Sequence, residues 1–232
     1  RLLVEAALKR QPAVHFVGVD VSAQALDDCQ FTLEQLDGVT VEKVQASYLD
    51  GLERSAQRRR PGVRRLVLFL GSNLSNFDRP EAQRFLREVR ARLRPGDALL
   101  LATDLDKDPA RLLPAYDDAL GVTAAFDKNA LVRLNREWGA DFPLDAFVHR
   151  SRWNAQARRV EMHLEAQRAL TVRVGALDLT VTFAPGETIW TESSHRFSLD
   201  ELRPWAAEGG FCVARQWLND AWPFAQTFLT VT

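Results

Sequence analysis

Cysteine is almost absent from this chain: among 232 residues only Cys29 and Cys212 occur, far apart and without metal-ligating neighbours. That excludes a disulfide framework and a cysteine-built metal site, and it fits a reducing compartment such as the cytoplasm. Net charge is also nearly absent, −1 at pH 7, so composition supplies no electrostatic case for a nucleic acid or an anionic membrane surface as partner. Lysine is confined to Lys9, Lys43, Lys107 and Lys128, which leaves arginine to carry most of the positive charge. No apolar run approaches the ~18 residues that a membrane span requires. The sequence lacks a G-x-x-x-x-G-K-[ST] loop, an H-E-x-x-H pair and a G-x-S-x-G elbow, and His15, His149, His163 and His195 are scattered. Hydrolase and metalloenzyme chemistry therefore lack their parts, and no metal site is expected.

What is present is an ordinary globular balance, 46% apolar and 26% charged, in enough chain for one large domain or two small ones. The first two-thirds alternate strand and helix. Strands are expected at 13–20, 39–46, 66–70 and 98–105. Between them lie a helix after Ser22, a plausible N-cap, and a helix over 80–93 with Pro80 at its start. Such alternation predicts a parallel, doubly wound sheet. From about residue 106 the rhythm changes. Two helical stretches, "DPARLLPAYDDAL" and "VTAAFDKNALVRLNREWG", precede strands at 158–167, 170–174, 177–183 and 187–197 with no helices between them, which predicts antiparallel pairing. Ser198 and Glu201 form a capping box for one more helix, and a terminal strand pair closes the chain.

Two places could hold a ligand. The greasy run Leu66 to Leu70 reads as a fully buried strand that stops at Gly71, followed by Ser72, Asn73, Ser75 and Asn76. In open α/β sheets ligands sit at such strand ends. Asp20, at the end of the first strand, reads equally as an acceptor for ribose hydroxyls or as an acid at a helix start. The cluster Arg58-Arg59-Arg60 with Arg64-Arg65 has no aromatic residues interleaved and reads as a solvated loop. A sheet with a ribose-type acid and no catalytic dyad suits transfer chemistry in which a cofactor supplies the reactivity.

The blocks "FLGSNLSNF", "TDLDKDPARLLPAYDDALGVTAAFDKNALVRLNRE", "RRVEMHL" and "TESSHRF" together closely resemble the S-adenosylmethionine-dependent L-histidine Nα-methyltransferases, which make trimethylhistidine (hercynine) in ergothioneine biosynthesis. The resemblance covers essentially the whole chain. It implies a Rossmann-like class I methyltransferase sheet over 1–105 and 198–232, with an antiparallel, β-rich substrate lobe over 106–197. It also implies S-adenosylmethionine as cofactor, L-histidine as substrate, and a cytoplasmic monomer. The start without Met, in a helix already under way, reads as a piece of a longer chain whose glycine-rich cofactor loop and substrate-enclosing tyrosines lie upstream of Arg1. On that reading the piece alone is inactive.

Residue by residue, the resemblance gives Asp20 and Gly71 to the cofactor, with Ser47 and Tyr48 in the adenine region. Ser47 stands where the family carries a carboxylate, which puts cofactor affinity in question. Asn76 and Tyr116 match residues that position the substrate's amino-acid end. Glu192, Ser193 and Ser194 match an E-x-S element at the imidazole. Met162, the chain's single methionine, matches a residue against the ring and shares a strand face with Val160 and Leu164. No side chain is expected to act as nucleophile, because the methyl donor arrives activated. Two rivals remain: a related methyltransferase for another aromatic amino acid or a thiohistidine, and an inactive nucleotide-binding remnant.

Overall fold

The computed structural model describes residues 1–59, 62–219 and 221–231. After helix α1 (Leu2–Leu8) the chain alternates strand and helix as expected, with one helix, α3, beyond those the sequence marks: β1 (Val14–Asp20), α2 (Ala23–Leu33), β2 (Val39–Gln45), α3 (Tyr48–Gln57), β3 (Leu66–Phe69), α4 (Arg79–Ala91) and β4 (Ala98–Asp104). Short α5 (Pro109–Leu112) and long α6 (Val122–Trp138) follow. Next come β5 (Phe147–Asn154), β6 (Arg159–Ala166), β7 (Leu170–Val174), β8 (Leu179–Phe183) and β9 (Thr188–His195). Helix α7 (Leu199–Glu208) and strands β10 (Cys212–Asn219) and β11 (Phe224–Thr230) end the fold.

The β1–β2 and β3–β4 pairs are parallel, and β11 joins β4 antiparallel to give the sheet order β10-β11-β4-β3. A separate antiparallel sheet has the order β5-β6-β9, and β7 and β8 pair as a hairpin. The Rossmann-like α/β expectation with additional antiparallel sheets therefore holds.

Local signals explain the helix starts. Ser22 accepts a hydrogen bond from Ala25 N, and Ser198 with Glu201 forms the expected capping box. A second box, Asp78 with Glu81, starts α4 with Pro80 in its first turn. Strand β4 carries the core: Ala98 to Thr103 are all buried, packed against Phe85, Leu86 and Val89 of α4 and the α7 side chains Leu202, Trp205 and Ala206. Burying each large apolar side chain contributes roughly 1.5–3 kcal/mol before entropy is counted. A second core gathers Leu131, Phe142, Phe147, Leu164, Val172 and Phe183 under the antiparallel strands.

Two segments far apart in sequence join these layers. Leu105 and Phe197 form a parallel bridge, with Asp106 N donating to Phe197 O at 3.1 Å. Around it, Arg79 donates to Glu201 at 2.6 Å and to the carbonyls of Ala157 and Arg196, while Arg158 holds both Glu201 and Asp106.

Four expectations need correction. Strand β3 is not fully buried: Leu66 is 47% exposed and Leu70 36%, because among the described residues no strand pairs with its second edge. Strand β5 was not anticipated, since the polar His149 and Ser151 fall on its inward face and weaken the apolar alternation. The stretch 108–120 is not a continuous helix: one helical turn, Pro109–Leu112, and a 3₁₀ turn, Leu113–Ala115, are all that form, because Pro114 removes a donor. The arginine cluster is not simply solvated. Arg58 pairs with Glu42, and Arg59, its side chain 11% exposed, donates to Asp97 Oδ2 at 2.6 Å; Arg60 lies outside the described residues. Among the described residues no helix is long and apolar enough to cross a membrane.

The Asp97 carboxylate, buried between β3 and β4, also accepts Arg65 N at 2.8 Å and Arg94 N at 2.9 Å. Burial pushes its pKa up, but these hydrogen bonds and Arg59 outweigh that and hold it below the usual carboxylate range. A depressed folded-state pKa stabilises the fold above the unfolded value, and the contribution is lost as pH falls through the folded one. Asp97→Asn, which strands Arg59, is therefore expected to cost about 3 kcal/mol at neutral pH. The gap to the parent should narrow below about pH 4, read from urea unfolding midpoints across pH. A gap that stays constant down to low pH would show the carboxylate's charge to be irrelevant.

Candidate active site

The end of β3 is turned sharply by two successive left-handed residues, Gly71 at φ 73° and Ser72 at φ 61°. Glycine adopts that backbone freely, and a Cβ there would meet only the Asn73 amide, at 4.0 Å. Serine does not adopt it freely and is held by its hydroxyl, which accepts Asp104 N at 2.7 Å and lies 2.8 Å from Ser75 Oγ. Asn73 Nδ2 donates to Leu70 O at 3.1 Å. Three of the four small polar residues thus close the loop on itself and fasten it to the end of β4. Asn76, at the end of the 3₁₀ turn Asn73–Asn76, is exposed, and its amide has no partner among the described residues. Most of the polar groups after β3 build a mount, and one is left to meet a ligand.

A cavity of about 180 Å³ opens beside that amide, between the β3 loop, Asp104, Tyr116 and the end of β9. Glu192, Ser194 and Arg196, spaced by two, line it from β9 and its continuation. Ser193 falls on the other face by the same alternation. Its buried hydroxyl lacks a partner among the described residues, and it does not line the cavity. Met162 is 3% exposed and stands directly opposite Glu192 in the β6–β9 register, next to a bulge at Met162/His163. His195 is buried, points away with Ser193, and stacks near Phe197. Burial lowers its pKa, and Arg159 and Arg79 add to the effect.

Tyr116 is fixed from two sides. Its phenol donates to Ser194 Oγ at 2.9 Å and accepts from Arg196 Nη2 at 2.6 Å. Its carbonyl lies 2.7 Å from His149 Nε2, and Asp127 lies 2.7 Å from His149 Nδ1, so a buried His–Asp pair anchors the backbone that carries the phenol. Asp127 also acts on Glu192: burial first, then the Asp127 charge, raises the Glu192 pKa above the usual carboxylate range. Glu192 itself remains exposed to the cavity, so an unpaired-carboxylate penalty arises only once a ligand covers it. Arg196, with 1% of its side chain exposed, also faces Asp104 Oδ2 from Nε at 3.2 Å, too oblique for a hydrogen bond. Lys107 pairs with the same carboxylate. Burial lowers its pKa, against the opposing pull of Asp104.

A second cavity, about 220 Å³, lies between Tyr48 and the rings of Phe77 and Phe85, with Ser47 on its rim. Tyr48 meets Phe69 edge-on at 5.3 Å. Ser47 serves as the N-cap of α3, its hydroxyl also donating to Asp50 at 2.8 Å. Asp20 stands at the end of β1, outside both cavities. Its Oδ1 accepts Ser22 N at 2.8 Å, and Oδ2 is uncommitted among the described residues. The structure thus brings Gly71, Asn76, Tyr116, Glu192 and Ser194 to one cavity and Ser47 and Tyr48 to another. It adds Asp104, Asp127, His149 and Arg196, which the sequence did not mark. Asp104, at a strand's C-terminal end, was the one with a usable signal. No group of three or more histidine, cysteine or acidic residues that could hold a metal occurs among the described residues.

A family model described as "Histidine-specific methyltransferase, SAM-dependent" matches residues 1–231. The chain is 41% identical over 226 residues to the histidine N-alpha-methyltransferase of Mycolicibacterium smegmatis, covering 97% of this chain and 69% of that protein. The same identity holds over 225 residues to the protein of that name from Mycobacterium tuberculosis, again covering 97% of this chain and 69% of the other. Ergothioneine biosynthesis protein 1 of Schizosaccharomyces pombe is 31% identical over 219 residues, covering 91% of this chain and 28% of that much longer protein. With a full-length family match laid over a strand-end cavity of this make-up, the chain belongs to the S-adenosylmethionine-dependent, histidine-specific methyltransferases.

Proposed function

We propose that the 180 Å³ cavity receives L-histidine and that the chain's methyl transfer is directed to the α-amine, giving the trimethylated amino acid used in ergothioneine biosynthesis. The observation that carries this reading is the polarity of the cavity: an uncommitted amide on the β3 loop, a carboxylate on the β9 wall backed by a thioether-bearing strand, and between them a phenol and a hydroxyl bonded to each other. Asn76 and Tyr116 would hold the amino and carboxylate groups. Glu192 and Ser194 would hold the imidazole, with Met162 behind them; Ser193 has no place in that contact. The names of the relatives support the same substrate and pathway. A monomer working in the cytoplasm belongs to the same proposal.

The residues present fit the cofactor. The free Asp20 Oδ2 suits a ribose hydroxyl. The aromatic cavity between Tyr48 and Phe85 suits adenine, with Ser47 on its rim, and the open space at Gly71 admits close approach to the backbone. S-adenosylmethionine supplies a methyl group on a sulfonium centre, already electrophilic, so the protein needs no nucleophile of its own. Its residues instead align the amine and exclude water, which supplies roughly 7–11 kcal/mol in favourable cases.

Three outcomes are expected. The full-length enzyme methylates L-histidine in preference to L-tryptophan, read by the mass of the product. Asp20→Ala weakens S-adenosylmethionine binding by about 1–3 kcal/mol in calorimetry, whereas Asn76→Ala raises the KM for histidine and leaves cofactor affinity intact. Loss of cofactor binding together with the fold in Asn76→Ala would make that amide structural. Finally, Glu192→Ala combined with Met162→Val lowers histidine methylation and raises the relative rate on tryptophan, because the unpaired carboxylate no longer opposes an indole. The two changes should be non-additive, since the residues face each other across paired strands. A double variant that keeps the parent's preference in a competition assay removes this pair from selectivity.

A further inference from the structure

Arg196 is the one fully buried arginine in this cavity wall, and its donors are directed at two adjacent hydroxyls, the Tyr116 phenol that the reading above gives to the substrate's amino-acid end and the Ser194 hydroxyl that it gives to the ring. Nη2 donates to Tyr116 Oη at 2.6 Å, and Nη1 donates to Ser194 Oγ at 2.8 Å. Nη1 also reaches the carbonyls of His195 at 3.0 Å and Ser194 at 3.3 Å, which fixes the plane of the fork. A guanidinium can donate but never accept. Each hydroxyl oxygen bound to it therefore gives up an acceptor position and keeps its own proton for another partner.

For Ser194 the constraint is complete. Its oxygen accepts from Arg196 and from Tyr116, at 2.8 and 2.9 Å, and a hydroxyl oxygen has two lone pairs. What remains is the O–H, and no acceptor among the described residues takes it. Glu192 lies two residues away on the same strand face, its carboxylate without a hydrogen-bond partner among the described residues, and an ionised carboxylate accepts only. The ring end of the cavity is thus one donor beside one acceptor. A neutral imidazole, with one N–H and one nitrogen lone pair, matches both. A ring with an N–H but no lone pair leaves Ser194 unpaired, and a ring with a lone pair but no N–H leaves Glu192 unpaired.

We propose that Arg196 is a positioning residue that makes Ser194 an obligate donor, so that recognition of the substrate ring requires a nitrogen lone pair as well as an N–H. This rests on the placement of histidine in the cavity, and it separates two demands that a carboxylate alone would not impose. Glu192 enforces the N–H. The Arg196–Tyr116–Ser194 triangle enforces the lone pair.

The test compares kcat/KM for L-histidine, the two pyrrolylalanines (N–H without a lone pair) and thiazol-4-ylalanine (lone pair without N–H). The enzyme should prefer histidine over the better pyrrolylalanine by about tenfold or more, the penalty for an unpaired donor. Arg196→Lys keeps a positive charge facing Asp104 but loses the two-pronged fork. It should shrink the histidine-to-pyrrolylalanine ratio severalfold and leave the histidine-to-thiazolylalanine ratio unchanged. In a Ser194→Ala background the same substitution should not alter the first ratio further. If Arg196→Lys does not fold, Tyr116→Phe, which removes one of the two donors to Ser194, should move the first ratio in the same direction without moving the second. A variant that slows all substrates in equal proportion overturns the proposal and leaves Arg196 a structural cation. An unmodified enzyme that does not favour histidine over every analogue refutes instead the assignment of histidine to the cavity.

Discussion

The site depends on one junction: the parallel bridge between Leu105 and Phe197. One partner follows the end of β4, an inner strand of the four-stranded sheet, and the other follows β9, an edge strand of the three-stranded sheet. Because these ends run side by side, Asp104 and Arg196 stand opposite each other and the cavity has two walls from different sheets. The bridge is short, and side chains hold it. Arg79 reaches Glu201, Ala157 O and Arg196 O at once, and Arg158 adopts a left-handed φ of 51° while bonding Glu201 and Asp106. Arginine suits this joint because one planar group can donate to several fixed acceptors with little further loss of freedom.

The molecule contains two kinds of buried charge, and they do different things. Asp97 accepts three N–H donors at the start of β3 and β4, far from the cavity, and its satisfaction is a matter of stability. The group around Asp104 is arranged otherwise. Two cations, Lys107 and Arg196, face one carboxylate, and the Arg196 Nε contact is oblique. Well-packed apolar side chains would serve stability at least as well as such a set. Its consequence is directional: Arg196 sets which way two hydroxyls point. The Asp127–His149 pair does the same for the Tyr116 backbone.

The elements that local physics determines were legible in the chain. Ser22 and the Ser198–Glu201 box begin helices where expected, and the alternation of apolar strands with helices places the parallel pairs. The resemblance located Asn76, Tyr116, Glu192 and Ser194, and the structure gathers all four around one cavity. What remained hidden depends on tertiary partners. Arg59 reads as a loop charge until Asp97, thirty-eight positions away, is folded against it. Arg196 reads as an ordinary arginine after a strand until Tyr116, eighty positions away, receives its donor. Strand β5 was obscured because the inward positions after Phe147 carry the polar His149 and Ser151, while its outward Arg150 and Arg152 pair with Glu165 on the neighbouring strand. Ser193 shows the opposite failure. A three-residue match transferred as a block ignores the period of two that sends its middle member to the other face.

For the reaction proposed, the absence of charge on Asn76 has a mechanistic reason. An α-amine attacks through its lone pair, and a protonated amine has none. A carboxylate placed against the amino group would favour the ammonium form, as opposite charges do at short range. An amide oxygen and a phenol orient the same group without that bias. Asp104, the acid that lines the cavity nearest the β3 loop, has its charge offset by Lys107 and Arg196, and its backbone N–H is held by Ser72. The second acid, Glu192, sits on the β9 wall with the ring-binding hydroxyl. The cavity can therefore include two carboxylates and still present its amide end as a neutral, hydrogen-bonding surface. That arrangement follows from the junction: the cations that offset Asp104 come from the residues flanking the Leu105–Phe197 bridge.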